Sequence, residues 1–533
     1  MSVMRLWLMP AVLAAAGLLA GCAGLPPLQA QPPSTAIPAS HDTDLGARAA
    51  QAVAEAAVPA DQSGFLPIPQ ALVALDARLT LIRRAQRSLD LQYYLLGNDE
   101  VGHLVLRELR DAAARGVRVR LLIDDVYTTG MDRLLLGLAA QPNVEVRLFN
   151  PFGAGRVSTL GRLVSLAGDF RRLNHRMHNK LFIADGAVAI VGGRNLADGY
   201  FMRDAGANFI DFDALAVGPI VPQLAGIFDT YWNSEQVRRI EAMARPAETP
   251  DDLRAAFDAE ATAYKSRRPA VAPPLSDDFG VPLLALELDA GLPHLLWAEA
   301  SAYADAPDKA ASSPDGADLS RTTAVRNLQA FSAAKSEVVL FSPYFVPGEK
   351  GLKRMQEARA KGITVRIVTN AMSATDEPLA SLAYERYRPS MLRMGVELYE
   401  LSSVQLHRDP RLRAFLGDSR AQLHVKLGMI DRRTLIVGST NLDLRSITTN
   451  TELAVTVHSP ELCNQVLAFF NSTNPGDANG AYRVRLRPDG KTLQWVALHG
   501  REGSEELDDE PEVDRWLRIK LFLMSLFVSE DLL

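Results

Sequence analysis

NHRMHNKLFIADGAVAIVGGRN, residues 174–195, recurs in altered form as AQLHVKLGMIDRRTLIVGSTN, residues 421–441. An offset of 246 residues carries His178 onto His424, Lys180 onto Lys426, Asp185 onto Asp431, Gly192 onto Gly438 and Asn195 onto Asn441. The same offset carries Arg115-Gly116 onto Lys361-Gly362. Two separated segments in one register indicate an internal duplication with one copy in each half.

Working outward, periodicity predicts helices over 71–85, 102–115 and 131–140, alternating with strands over 89–95, 117–124 and 144–149. The alternation returns later as helices over 322–335 and 351–361 and strands over 337–341 and 363–368. Gly116 and Gly362 close their helices as C-caps. Strand and helix in alternation mean an α/β layered domain, here present twice. A chain of 533 residues suits two domains of about 200 residues plus extras. They are placed at 61–241 and 320–480, either side of a connector at 242–319. The polar, Pro- and Ala-rich patches of that connector flank an apolar strand candidate, Val281–Leu288.

The ends have other characters. Arg5 precedes an apolar run, 6–19, shorter than the ~20 residues a spanning helix needs. It ends in Leu19-Ala20-Gly21-Cys22, which resembles the lipobox of bacterial lipoproteins and implies a signal peptide at 1–21 and acylation of Cys22. Residues 22–60, rich in Pro, Ala, Gln and Ser, are expected to be a disordered tether. The expectation is a lipid-anchored, periplasm-facing bacterial protein, with outer and cytoplasmic membranes both open, although Ala23 in place of Asp favours the outer one by the enterobacterial sorting rule. Residues 481–533 form a C-terminal extension. Its stretch 516–528, WLRIKLFLMSLFV, reads equally as an interfacial helix with Trp516, Arg518 and Lys520 at headgroup level or as a terminal helix docked on the core.

The doubled motif carries the chemistry. On a strand, residues i and i+2 share a face, so each copy presents an imidazole beside an ammonium. Two imidazoles, two ammoniums and two amides at one point suit a phosphodiester. One histidine attacks phosphorus and the other protonates the departing alkoxide. Lys180, Asn195, Lys426 and Asn441 hold the non-bridging oxygens. No metal or cofactor is then required, and with Cys463 the only cysteine besides Cys22, no zinc-type cluster is expected. Asp185 and Asp431 close the two motifs and are counted with the catalytic pattern, although fixing the local turn is the favoured reading for both over touching substrate. Ahead of the first copy, Arg156, Arg162, Arg171, Arg172 and Arg176 are interleaved with Leu160, Leu163, Val164, Leu166 and Phe170. The segment reads either as a lipid-headgroup contact or as a solvated amphipathic helix. His175 stands out of phase with His178. The pairs Tyr93-Tyr94 and Tyr344-Phe345 read as core, with pocket lining the alternative.

The stretches HNKLFIAD and HVKLGMID, with their GGRN and GSTN tails, resemble the two HKD motifs of the phospholipase D superfamily. The resemblance implies two α-β-α layered domains packed with pseudo-two-fold symmetry and one active site at their interface, so that one chain works as a monomer. It also implies an acidic residue after each motif that orients a histidine, for which Glu452 and Asp211 are the matching positions. Within the superfamily, LDLQYYL, VRLLIDD, VRLFNPF, VGGRN and ALAVGP are similar to bacterial cardiolipin synthases, especially the C-type group. That similarity implies phosphatidyl transfer to phosphatidylglycerol through a phosphohistidine, with phosphatidylethanolamine as donor, at a membrane surface and with room for an accessory protein. By analogy His178 is the nucleophile and His424 the acid/base. The rivals are a hydrolase releasing phosphatidic acid, an endonuclease and a degenerate scaffold. A net charge of −6 supplies no global field to collect nucleic acid, so no nucleic-acid partner is expected.

Overall fold

The computed structural model describes residues 25–28, 32–153, 155–245, 247–263, 274–277, 280–311, 319–408, 413, 416–470, 480–498 and 504–513, with Trp516, Arg518, Ile519 and Leu523. The leader, Cys22 and most of 516–528 lie outside the described residues.

The strands of the first half are β1 (Gln62–Ile68), β2 (Ser88–Tyr93), β3 (Arg118–Asp124), β4 (Val144–Phe149), β5 (Leu181–Ala184), β6 (Val188–Gly192), β7 (Ala207–Ile210), β8 (Asp213–Val217) and β9 (Val237–Arg239). Those of the second are β10 (Leu296–Ala304), β11 (Glu337–Phe341), β12 (Thr364–Asn370), β13 (Glu397–Leu401), β14 (Arg420–Leu423), β15 (Leu427–Ile430), β16 (Thr434–Gly438), β17 (Leu453–Val457), β18 (Ala481–Leu486), β19 (Leu493–Leu498) and β20 (Ser504–Leu507). In the first half the sheet runs β9-β4-β3-β2-β5-β6-β8-β1, parallel across β4-β3-β2 and antiparallel elsewhere. The second half repeats it as β18-β13-β12-β11-β15-β16-β17-β10. β1 and β10 pair antiparallel, Gly64 opposite Trp297, and so join the halves into one sheet about a pseudo-two-fold axis.

Local sequence explains the layers. The parallel strands are buried almost throughout: Leu89, Leu91, Val119 and Leu121 pack with the helices Ala71–Arg84 and Glu100–Ala114, while buried polar residues of the same strands pair with each other, Arg120 with Asp90 at 2.6 Å. Gly116 and Gly362 adopt φ +95° and +80°, the left-handed conformation in which each helix stops before its strand. A core cluster containing Met177, Val191 and Phe212 from the first half and Val339, Leu423 and Leu435 from the second lies across the interface. The halves therefore share apolar burial as well as a sheet.

Four expectations require correction. The stretch 22–60 is not a tether throughout. Ser34 and Ala36 are tied through their backbone N–H groups to Asn233 and Asp229, and Asp44–Ala56 is a helix capped by Thr43. Its Leu45, Ala49 and Ala52 recur at helical spacing and are buried against the core. The connector is largely structured: the helix Pro250–Ala263 packs on Asp132–Ala139, and β10 is the first strand of the second domain, which begins before residue 320. A helix, Leu284–Asp289, occupies most of the span predicted as the strand Val281–Leu288, because an apolar run this short fits either state. Finally, β18, β19 and β20 of the C-terminal extension add to the edge of the second domain's sheet.

Candidate active site

His178-Asn179-Lys180 and His424-Val425-Lys426 lie immediately before β5 and β15, not within strands as predicted. The i, i+2 geometry survives: Lys180 Nζ donates to the His178 carbonyl and Lys426 Nζ to the His424 carbonyl, each at 2.6 Å. Each histidine stops short of the sheet because its backbone pairs with the other half. β7 and β14 form a two-stranded parallel sheet, and beyond its end His424 N donates to Ile210 O at 2.8 Å. The counterpart is a bridge between Met177 and Thr451, with His178 N donating to Thr451 O at 2.9 Å.

This pairing crosses the acids over. The residue after Ile210 is Asp211, and its Oδ2 lies 2.7 Å from His424 Nδ1. The residue after Thr451 is Glu452, whose Oε2 lies 3.0 Å from His178 Nδ1. The acid following the first motif therefore serves the second histidine, and the acid following the second motif serves the first. His178 Nδ1 also faces the Ser439 carbonyl at 2.9 Å. A carbonyl can only accept, so Nδ1 carries the proton and Nε2 is left as the basic nitrogen. Ser439 and Ser446 hydroxyls donate to Glu452 and fix its carboxylate. Gly193 permits the matching approach at Asp211, because a Cβ there would fall 2.1 Å from Asp211 Oδ1.

Both histidines line a cleft of about 130 Å³ between the halves. Tyr94 packs edge-on to the His178 ring and Tyr200 edge-on to the His424 ring, each at 5.0 Å between centroids. Tyr94 and Tyr344 line the cleft while Tyr93 and Phe345 are core, so the two aromatic pairs divide between their alternative readings. Asn195 is held by Leu95 N at 3.2 Å and donates to Tyr200 Oη at 2.8 Å, which in turn stands 3.4 Å from His424 Nε2. Asn441 also lines the cleft, and its buried Oδ1 has no hydrogen-bond partner. His175 is turned away, its Nδ1 donating to the Arg171 carbonyl at 2.5 Å.

Electrostatics follow from burying four basic groups together. Burial, then the two lysine ammoniums, hold both imidazoles well below the ordinary histidine range and so favour their neutral forms. Burial lowers Lys426 to about 8 and pushes Lys180 well down. Burial raises Glu452 to about 7 and also raises Asp211.

Asp185 and Asp431 hold turns and do not line the cleft, the role favoured for them over contact with substrate. Asp185 accepts the backbone N–H groups of Gln86, Arg87 and Ser88, and Asp431 those of Lys335, Ser336 and Glu337. Both sit at positive φ in the hairpin turns, at the far end of β5 and β15 from the histidines. The basic loop is corrected. Arg156 pairs with Asp125 at 2.6 Å and with Asp132, Arg176 pairs with Asp124 at 3.1 Å, and Arg162 is buried on backbone carbonyls. These three guanidiniums are internal and unavailable to headgroups.

Sequence reading missed Tyr127, Tyr200, Asp376, Glu377 and Arg445 in the cleft wall. The repeat could not reveal them: Tyr200 maps onto Ser446 and Asp376 onto Gly130. Among the described residues no cluster of three or more His, Cys, Asp or Glu is arranged to hold a metal ion.

The family model described as "Cardiolipin synthase, PLD-like domain" matches twice, over residues 79–232 and 328–473. Cardiolipin synthase C of Escherichia coli (strain K12) is 35% identical over 482 residues, 89% of this chain and 96% of the relative. Cardiolipin synthase of Geobacillus thermodenitrificans (strain NG80-2) is 26% identical over 416 residues, 76% of this chain and 66% of the relative. Among solved structures, the phosphatidylserine synthase of Haemophilus influenzae Rd KW20 superposes with a TM-score of 0.54 at 14% identity, covering 90% of this chain and 97% of that one. That likeness supports the two-domain fold.

Proposed function

The chain belongs to the phospholipase D superfamily, in its cardiolipin synthase-like branch, and from that premise we propose that it makes cardiolipin by transferring a phosphatidyl group to phosphatidylglycerol. The observation that carries the proposal is the crossed arrangement, His178 with Glu452 and His424 with Asp211 around one cleft. His178 Nε2, neutral and unprotonated, attacks the phosphorus of the donor phospholipid. The bond to the headgroup oxygen breaks, and His424 gives that oxygen its proton. The product is phosphatidyl-His178 and a free headgroup alcohol. His424, now a base, takes the proton of the terminal glycerol hydroxyl of phosphatidylglycerol. That oxygen attacks phosphorus, cardiolipin leaves and His178 is regenerated.

The lowered proton affinity of His424 suits this order of events. Its causes are burial and the Lys426 and Lys180 ammoniums. An anionic phosphodiester seated on those ammoniums cancels their repulsion and raises His424 toward the protonated state that the first step needs. Asn441, with its unpartnered buried amide oxygen, and Asn195, acting through the Tyr200 hydroxyl, line the same phosphate position. Asp376 and Glu377 give one wall carboxylates suited to the ammonium of a phosphatidylethanolamine donor. The lipobox around Cys22 supports a lipid-anchored location facing the periplasm.

The test is to supply phosphatidylglycerol with phosphatidylethanolamine and separate the products. Cardiolipin from the wild type and none from His178→Ala is expected. Supplied with phosphatidyl-p-nitrophenol, whose leaving group departs without a proton, His424→Ala is expected to accumulate an acid-labile phosphatidyl adduct on His178. Phosphatidic acid without cardiolipin would make the enzyme a hydrolase and end the synthase reading.

A further inference from the structure

The segment between β4 and the first histidine takes no part in the proposed chemistry, yet its surface is unusual. The helix Thr159–Gly168 is capped by Ser158, whose Oγ accepts from Gly161 N at 3.1 Å. Its one charged residue, Arg162, points inward. Arg162 Nε donates to Arg156 O at 2.7 Å, and Nη1 donates to Val126 O at 3.0 Å and to Asp125 O. Nη2 donates to Thr128 Oγ1 at 3.0 Å, and the guanidinium stacks on Phe152. Because the polar anchor is internal, the apolar residues are left outside. Leu160 is 73% exposed, Val164 66%, Val157 65%, Leu163 59% and Phe170 47%.

A helix on a soluble surface ordinarily turns its charges to water and its apolar stripe to the core. This one does the reverse. Five of the thirteen large apolar side chains exposed among the described residues fall within 157–170. Scattered exposed hydrophobics need no explanation, but a contiguous set marks an interaction surface. The set is also continuous with the catalytic cleft, because the loop that Arg162 clamps, 125–128, carries half-exposed Tyr127 into the cleft lining. The flanking charges fit one occupant. Asp169 is held by Arg172 at 2.6 Å, and Arg171 beside it is exposed, so the patch is bordered by available positive charge.

We propose that Val157, Leu160, Leu163, Val164 and Phe170 form the membrane-docking face of the enzyme, sinking into the acyl region of a phospholipid bilayer. Tyr127 and the cleft mouth then stand at headgroup level, and Arg171 meets phosphates. The inference rests on the reading that the substrates are phospholipids. It gives the substrate a short path, since a lipid raised from the bilayer beside the helix enters the cleft past Tyr127 without crossing bulk water. It also replaces an electrostatic contact by an apolar one, because three of the five arginines of the segment are internal.

The full chain is reconstituted with phosphatidylethanolamine/phosphatidylglycerol vesicles. Leu163→Trp is expected to emit further to the blue on the vesicles than in detergent-free buffer and to be quenched by lipids brominated on the acyl chains, relative to the unsubstituted protein. Leu160→Asp combined with Leu163→Asp is expected to lower transfer on vesicles roughly tenfold or more, while transfer between short-chain phospholipids dissolved as monomers stays within about twofold. Emission of the Leu163→Trp variant that the brominated lipids leave unquenched, or equal losses on vesicles and monomers, would overturn the proposal. So would a dimer of the wild type that the aspartates dissociate without loss on vesicles, which would make the face an interface between copies. If the wild type transfers neither substrate form, the proposed activity fails, and the quenching experiment still reads docking independently.

Discussion

Glu452 is a fully buried carboxyl group with Oε2 3.0 Å from His178 Nδ1, and in the proposed reaction it sets the state of the nitrogen that attacks. Burial raises it to about 7, so it is ionised above that pH and protonated below it. Once protonated it no longer stabilises a positive charge developing on His178 during attack. Lys426, lowered to about 8 by burial, loses its ammonium above that value and with it the hold on phosphate. The expected kcat/KM profile is therefore bell-shaped, with an acid limb near 7 and an alkaline limb near 8. Glu452→Gln should abolish the acid limb and lower the plateau by roughly 10²- to 10⁴-fold, as in other acid–imidazole pairs. Lys426→Arg should move the alkaline limb upward, since guanidinium stays charged. A profile for Glu452→Gln with the acid limb in place would remove this residue from the reaction. At this scale the motif residues were legible, because a rare pattern occurred twice, whereas Tyr200 was not, because its repeat position carries serine.

At the scale of elements, the motif's closing aspartates organise hairpins. The β5–β6 and β15–β16 turns place Asp185 and Asp431 at φ +51° and +53°. Each carboxylate then gathers three successive backbone N–H groups at the start of β2 or β11, fastening the hairpin to the parallel half of its sheet. Removing the Asp185 carboxylate leaves buried N–H groups without acceptors, at about 1–3 kcal/mol. Asp185→Ala is thus expected to lower the thermal midpoint while turnover per folded molecule on monomeric lipid stays close to wild type; a collapse of turnover with the midpoint unchanged would return Asp185 to the reacting set. Elements were legible where pattern and punctuation agreed: Val144–Phe149 and Glu337–Phe341 are strands with the predicted bounds. Asp44–Ala56 was hidden by the Pro-rich composition around it, although its own alanines and Leu45 suit a helix. β10 was hidden because a sheet-completing strand is defined by partners far along the chain, Val457 with Ala300 among them, more than by its own alternation.

For the whole molecule, the decisive feature is that each half supplies the acid for the other half's histidine. If His178 is the nucleophile, Asp211 belongs functionally to His424 and Glu452 to His178, against their order in the chain. With a donor whose leaving group departs without a proton, Asp211→Asn should then accumulate the adduct on His178 as His424→Ala does, whereas Glu452→Gln should form it roughly 10²- to 10⁴-fold more slowly than the wild type. Mass spectrometry of the two variants after mixing with substrate checks this, and the reverse pattern would mean that His424 is the nucleophile. The amino-acid sequence by itself determined the duplication, the α/β layering, the paired His-x-Lys residues and the family, because each is carried by spacing and periodicity within a short stretch of chain. Tertiary structure alone decided which acid faces which histidine, that arginines 156, 162 and 176 are internal while Leu160, Leu163 and Val164 face outward, and that β10 joins the two sheets. Those outcomes depend on contacts between segments far apart in the chain, and on which face of a short helix finds buried acceptors. A linear pattern, symmetric about the repeat, contains neither.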